Sequence, residues 1–498
     1  MNGHGKSDSP IVPVKSPNKA LAAAIGAEVV EERGLAKRNA DSTTRPGRSA
    51  GQDVPNGLDR VREVARRDKE ARFSALLHHV DIDRLREAYW AIRPQAAPGV
   101  DDVTWRTYGQ ELEDNLKDLY QRVNNGAYRA SPSRRVYIPK ADGRKRPLGI
   151  ATLEDKILQR AVVEVLNAIY EEDFLGFSYG FRPGRSPHHA LDALSVGIER
   201  KKVNWVLDAD IRDFFTSLDH SWLERFLEHR IADKRILRLI RKWVSAGVIE
   251  DGVWTASGGG APQGASVSPL LANIYLHYVL DRWIRQWRRK HAHGDVIIVR
   301  FADDFVCGFE YQGDAEQFLA DLRQRLAKFN LELHPDKTRL IEFGRFAARA
   351  RADRGVAKPE TFDFLGFTHF CGKTKNGCFW LRRITISKRM RAKLAEVKDQ
   401  LRQRMHRSIP EQGRWLASVV RGHINYYAVP GNIDAVLAFR TQVIRLWFKA
   451  LRRRSQLDRT NWTRMNRIAT KWLPPARVMH PFPSVRFSAT TQGRSPVR

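Results

Sequence analysis

Two adjacent carboxylates in the middle of an apolar double strand constrain this chain more than any other feature. Residues 296–309 read Val-Ile-Ile-Val-Arg-Phe-Ala-Asp-Asp-Phe-Val-Cys-Gly-Phe, with Asp303 and Asp304 at the centre. The β-branched and aromatic residues on either side predict two apolar strands, 296–301 and 305–309. Neighbouring like charges repel, and apolar surroundings raise the cost of ionising them. A hard divalent cation such as Mg²⁺ turns that liability into a binding site, because it takes carboxylate oxygens. The plainer alternative is an exposed hairpin turn with two solvated acids. A second segment weakens that alternative. Residues 203–210 predict another apolar strand, ending in Asp208 and Asp210. Two residues apart, these acids share one strand face, and spacing does not say which of them is a ligand. Two strand-borne acidic sites, distant in sequence, can converge on a pair of metal ions suited to in-line displacement at phosphorus.

The charge balance names the class of partner. Lys and Arg outnumber Asp and Glu by 86 to 56, a formal charge of +30. A globular chain this basic suits a polyanion. The excess is localised: residues 381–498 hold 26 Lys or Arg against five acids, which is +21 of the +30. Trp415, Trp447, Trp462 and Trp472 are interleaved with those charges. Such interleaving suits phosphates and unstacked bases, although each tryptophan reads first as helix-packing core. Three cysteines, Cys307, Cys371 and Cys378, are too few for a disulfide framework, fit a reducing compartment and lack the second pair a zinc site needs. No run of 18 apolar residues predicts a membrane span.

At 498 residues the chain is too long for one core. Residues 1–50, rich in Ser, Pro, Gly and charge, read as a mobile leader. Apolar spacing predicts helices over 58–79, 83–92, 153–170 and 187–200. Val136, Tyr137 and Ile138 predict a strand, and Asp142-Gly143 a hairpin turn. Strand and helix patterns alternate in this region, which indicates an α/β or α+β domain. After Leu381 the pattern turns all-helical, with Met390, Leu394, Val397, Leu401 and Met405 on one face and Val436, Leu437, Val443, Ile444 and Trp447 on another.

These residues resemble a known family. Phe301-Ala302-Asp303-Asp304 is similar to the Tyr-Ala-Asp-Asp box of reverse transcriptases, and Asp210-Ile-Arg-Asp-Phe-Phe215 to the aspartate motif that precedes it. The resemblance implies that Asp210, Asp303 and Asp304 hold two Mg²⁺ ions, with Ile211 among the metal and nucleotide positions and Ala302 beside the nucleotide. It implies that Phe215 crowds a ribose 2′-hydroxyl and so selects deoxynucleotides; spacing alone would make Phe215 core. Ala261-Pro262-Gln263-Gly264 resembles the motif beside the incoming dNTP and template. Residues 138–150 resemble the fingers hairpin, with Lys140 and Arg146 at the phosphate-contacting positions. Lys337, in His-Pro-Asp-Lys-Thr, matches a lysine placed near the leaving pyrophosphate; its spacing equally suits a solvated lysine. Residues 364–367, Phe-Leu-Gly-Phe, resemble the primer-grip turn.

Phe181-Arg182-Pro183-Gly184-Arg185-Ser186 and Gly422-His423-Ile424-Asn425-Tyr426-Tyr427 narrow the likeness to bacterial group II intron-encoded reverse transcriptase/maturases. The blocks occur in family order over roughly residues 58–487. The likeness implies an α+β right-hand polymerase, with fingers and palm over 51–375, a helical thumb or maturase X domain over 376–480 and a short basic tail over 481–498. It implies intron RNA as partner, together with RNA template and DNA primer or target DNA. The expected RNA-binding residues are Arg182, Arg185, Arg421, His423, Asn425, Tyr426, Arg452, Arg453 and Arg454. A homodimer is left open, no membrane partner is expected, and the location implied is the bacterial cytoplasm near the nucleoid. No His/Cys cluster follows Phe487, so no HNH endonuclease domain is expected, and insertion would use a ready-made primer. Three positions depart from the family: Phe301 for Tyr, Asp213 for a small residue, and Asp102 for a Gly after Pro98-Gly99-Val100-Asp101. Two other readings stand beside the polymerase: a splicing-only RNA chaperone with a decayed active site, and a domesticated reverse transcriptase, for example in phage defence.

Overall fold

The computed structural model describes residues 57–139, 145–250, 253–255, 260, 264–454 and 460–491. The expected leader over 1–50, the Asp142-Gly143 turn, Lys140 and Gln263 lie outside the described residues.

The apolar runs become strands and the 3–4 spacings become helices. In chain order the strands are β1 (Ser133–Pro139), β2 (Lys145–Ile150), β3 (Trp205–Asp210), β4 (Val248–Glu250), β5 (Val253–Thr255) and β6 (Val296–Phe301). They continue with β7 (Asp304–Phe309), β8 (Arg339–Glu342), β9 (Phe362–Phe364), β10 (Phe367–Lys373) and β11 (Phe379–Thr385). Among the described residues these strands form three sheets, in the orders β2-β1-β4-β5, β6-β7-β3-β8 and β11-β10-β9. The second sheet is antiparallel throughout and is the platform of the site.

Its two faces are covered differently. Helices Leu153–Asp173 and Ser268–Leu276 pack into the main core with Leu207, Ile298, Phe305 and Cys307. Helix Pro187–Arg200 covers the other face through Ala190, Leu194 and Ile198, against Val206, Ile297 and Val299. The strands therefore read as unbroken apolar runs because both faces are buried. Helix Leu153–Asp173 starts where the Thr152 hydroxyl accepts from the Asp155 amide, and helix Pro187–Arg200 starts with Ser186 capping His189.

The helix expected over 58–79 is shorter, Gly57–Arg67, followed by a single 3₁₀ turn at Leu77–His79. The Asp68 carboxylate accepts from the Glu70 and Ala71 amides, a local turn that competes with helix continuation. Phe73 then pairs with Ile231 in an isolated bridge.

Beyond β11 the chain is helical, over Ser387–Gln403, Ile409–Tyr427, Ile433–Arg452 and Trp462–Trp472. These helices share a separate core of Val397, Leu401, Leu416, Val420, Phe439, Val443 and Trp447. Trp447 is fully buried, Trp415 and Trp472 are partly buried against the same core, and Trp462 is 47% exposed, stacked on Phe448 at 4.3 Å. Residues 483–491, read from sequence as tail, form a helix whose Phe487 is buried and whose Arg486 pairs with Asp192 on helix Pro187–Arg200. All three cysteines are free, and no helix among the described residues is long and apolar enough to cross a membrane.

Candidate active site

Register assembles the acids. On adjacent antiparallel strands Asp210 lies directly opposite Asp304, and Asp304 opposite Phe301 across the β6–β7 hairpin. Side chains directly opposite project to the same face with Cβ atoms about 5 Å apart. Asp208, two residues earlier, shares that face. Asp303 sits half-buried on the hairpin turn. Asp208, Asp210 and Asp304 line a groove of about 360 Å³, whose other walls include Lys337, Arg339, Asp363 and Arg389.

The electrostatics follow from that crowding. Enclosure by protein, then the Asp303, Asp210 and Asp208 carboxylates in that order, push Asp304 well above the usual carboxylate range, and Lys337 acts the other way. Asp208 is pushed up to about 6, first by burial, with Arg339 opposing. Lys337 pairs with Asp210, and Arg339 stands 3.8 Å from Asp208. Closely spaced oxygen donors that resist ionising together suit a hard divalent cation. No three acidic, His or Cys side chains among the described residues are already gathered for one. The site offers the opposed pair Asp210 and Asp304, with Asp303 beside it.

Sequence reasoning placed Asp208 on the face of Asp210 and left its role open, but missed Asp363, Arg339 and Arg389 as groove walls. Nothing local marks these three, which tertiary packing brings in.

The turn is sterically specified. Ala302 is buried with φ +58°, in the left-handed region that side chains rarely adopt. Gly180 presses on it so closely that a Cβ there would lie 2.2 Å from the Ala302 nitrogen.

Of the expected nucleotide positions, Phe215, Ile211, Ala302 and Arg146 are among the described residues. Phe215 is half-buried on a one-turn helix, Phe214–Ser217, and packs edge-on against Phe214 at 5.5 Å. Asp213 opens that turn at φ +43°. A Cβ on Gly260 would meet the Phe215 carbonyl at 2.6 Å, and one on Gly264 (φ +111°) the Gly149 carbonyl at 2.6 Å. Gly260 thus lies beside Phe215, and Gly264 beside β2. Arg146 lies on β2, opposite Ile138. Ile211 is buried and bridges Leu333.

The expected primer-grip turn forms another wall. Leu365 (φ +46°) and Gly366 (φ +87°) make it, and the Tyr426 hydroxyl donates to the Leu365 carbonyl at 2.8 Å.

The residues expected to bind RNA fall into two groups. Arg421, Asn425, Arg452 and Arg453 are exposed. Arg182 is buried: its guanidinium donates to Glu171 at 2.9–3.2 Å and to the Leu175 and Ser178 carbonyls at 2.8 Å. Arg185 donates to the Gly176 carbonyl at 2.6 Å and lies over the Tyr179 ring. His423 is buried and stacks on Phe439 at 3.7 Å. Tyr426 is tied to Leu365, and Arg454 donates to the Met405 carbonyl. The Arg182 and His423 side chains therefore face inward, where Arg182 holds a loop together and His423 packs on the core of the C-terminal helices.

Comparison with known proteins agrees with this geometry. Residues 138–369 match the family described as reverse transcriptase (RNA-dependent DNA polymerase). The chain is 36% identical to protein YkfC of Escherichia coli over 276 residues, 49% of this chain and 72% of that protein. It is 40% identical to the group II intron-encoded protein LtrA of Lactococcus lactis over 179 residues, 36% of this chain and 29% of LtrA. A 91 kDa protein in the cob intron of Schizosaccharomyces pombe is 41% identical over 171 residues, 34% of this chain and 21% of its own length. The match thus spans less than a third of these two intron proteins.

Proposed function

Because the chain belongs to the group II intron reverse transcriptase/maturase family, we propose that it is an RNA-directed DNA polymerase that also binds the intron RNA to assist splicing and mobility. The observation that carries the polymerase reading is the register of Asp210 against Asp304, with Asp303 on the connecting turn. Asp210, Asp303 and Asp304 would hold Mg²⁺, which supplies activation of a primer 3′-hydroxyl and charge neutralisation at the leaving pyrophosphate. The chain's own groups do the rest. Phe215 bounds the pocket where a 2′-hydroxyl would project. Arg146 and Lys140 meet the triphosphate. Lys337 releases Asp210 and donates a proton to the leaving pyrophosphate. The exposed Arg421, Arg452 and Arg453 contribute salt-sensitive contacts to RNA phosphates.

Primer extension on an annealed RNA template, with dNTPs and Mg²⁺, tests the reading. Wild type yields DNA, and Asp303→Ala yields none while retaining RNA affinity. Folded, RNA-bound wild type that makes no DNA refutes the polymerase reading in favour of the splicing chaperone.

A further inference from the structure

Strand β6 buries four apolar residues and then an arginine. Arg300 is fully buried, as is its partner Asp281. An arginine in so apolar a strand is costly, and packed hydrophobic residues there would serve stability as well. Its bonds show what the charge does instead. Nε donates to Asp281 Oδ1 at 2.7 Å and Nη2 to Asp281 Oδ2 at 2.6 Å. Nη2 also donates to the Ser178 hydroxyl at 2.7 Å, and Nη1 to Asn273 Oδ1 at 3.1 Å. The remaining bond, from Nη1 at 2.9 Å, goes to the carbonyl of Ala302, the left-handed residue of the acid-bearing turn. Five N–H groups meet five acceptor contacts, so the fork is fully committed.

The same acceptors reach the other side of the turn. The Asn273 amide donates to the Gly180 carbonyl at 2.7 Å, and Gly180 is the residue pressed on the Ala302 nitrogen. Asp281 closes a five-residue π turn, His277–Asp281, between helices Ser268–Leu276 and Arg282–Lys290. One extra residue in the turn rotates the following positions by about 100° relative to a continuous α-helix. That rotation sets which residue of this helix faces Arg300.

We propose that Arg300 and Asp281, with Asn273 as bridge, are positioning residues: they fix the Ala302–Asp303 turn against the Gly180 loop and thereby set the affinity of the acid site for a divalent cation. The proposal rests on the polymerase reading and deepens it. Arg300 touches neither substrate nor cation; it acts through the carbonyl of Ala302.

The test uses full-length Arg300→Lys, Asn273→Ala and Ser178→Ala proteins. Arg300→Lys keeps the charge and loses the fork. Asn273→Ala and Ser178→Ala leave the Arg300–Asp281 pair intact, and carry the test if the lysine variant does not fold. Mn²⁺ binding is followed by electron paramagnetic resonance, backbone exchange of peptides spanning 300–305 by mass spectrometry, and RNA binding by filter retention. The expected result for Asn273→Ala is about tenfold weaker Mn²⁺ binding and faster exchange at the turn, with RNA affinity near wild type and a melting temperature lower by a few degrees, because a buried Arg300 N–H and the Gly180 carbonyl lose their partner; Ser178→Ala shows the same in smaller measure. Primer extension then needs more Mg²⁺ for half-maximal rate, with an unchanged KM for primer-template. Variants that fold and match wild type in Mn²⁺ affinity and turn exchange overturn the positioning role. Wild type that neither binds Mn²⁺ through Asp303 and Asp304 nor extends a primer overturns the polymerase reading instead.

Discussion

Replacing Gly180 by Ala tests whether the acid-bearing turn is held at a fixed height. The added Cβ would sit 2.2 Å from the Ala302 nitrogen and 2.9 Å from the Phe301 carbonyl carbon, both backbone atoms that cannot swing aside. Ordinary contact begins at 3.4 Å, so the turn or the loop must move by about 1.2 Å. A displacement of about 1 Å at reacting groups costs on the order of 10²-fold in rate. Overpacking of this kind costs about 1–3 kcal/mol of stability, small enough for the fold to survive. The assay is single-turnover primer extension at saturating primer-template, alongside RNA binding and thermal melting. The expected outcome is a roughly hundredfold lower rate, a melting temperature lower by a few degrees and unchanged RNA affinity. A rate within threefold of wild type in protein that melts normally would refute the argument, because it would mean that the turn tolerates the shift.

Five further outcomes follow from the geometry. Asp213 adopts φ +43° with no capping bond from its side chain, so Asp213→Gly should raise stability by roughly 0.5–1 kcal/mol. Asp102→Gly should gain less, because Asp102 (φ +54°) also pairs with Arg134; melting temperatures in the reverse order would contradict this. Burial, reinforced by Lys393, pushes His423 down to about 4. The unfolded chain therefore binds the proton first, and stability contributed here is lost as pH falls from about 6.5 through 4. His423→Phe should flatten that part of the urea-midpoint profile, and an unchanged slope would count against a buried neutral imidazole. Arg421→Ala should lower RNA affinity and the log–log salt slope by about one without changing melting. Arg182→Ala should instead strip Glu171 of its partner and cost on the order of 2–3 kcal/mol of stability, seen as a lower urea midpoint.

What the sequence made legible was local. The unbroken apolar runs around Asp210 and Asp304 mark strands buried on both faces, and the boundaries of β6 and of helix Pro187–Arg200 match the expected spans. The departures Asp102 and Asp213 stood out as oddities, and the backbone explains them: both occupy left-handed positions, where glycine fits without strain. Less legible was whether a basic or aromatic motif residue faces inward or outward. Arg182 and Arg421 look alike in sequence, but Arg182 follows Phe181 (φ +57°) and turns back onto Glu171. The Arg300 network was invisible because its members, at 178, 273, 281 and 300, meet only through the π turn and the bridge of Ser178 to Arg300.

One helix joins the two ends of the proposed activity. Ile409–Tyr427 carries Arg421 and Asn425 outward, yet its last turn reaches the Leu365–Gly366 turn that lines the groove. Tyr426 donates to Leu365 and stacks near Phe367 at 5.9 Å, and a Cβ on Gly366 would stand 3.1 Å from the Tyr427 hydroxyl. Leu365 and Gly366 both need positive φ, so this turn has little freedom to relax and depends on those tyrosines to hold its shape. Asp210 and Asp304 line the same groove. A helix whose exposed face carries the arginine and asparagine proposed to meet RNA is therefore bonded, at its end, to the turn that walls the groove. The tyrosines at its end hold the turn at the groove, and the proposed RNA contact lies within two turns of them on the same helix.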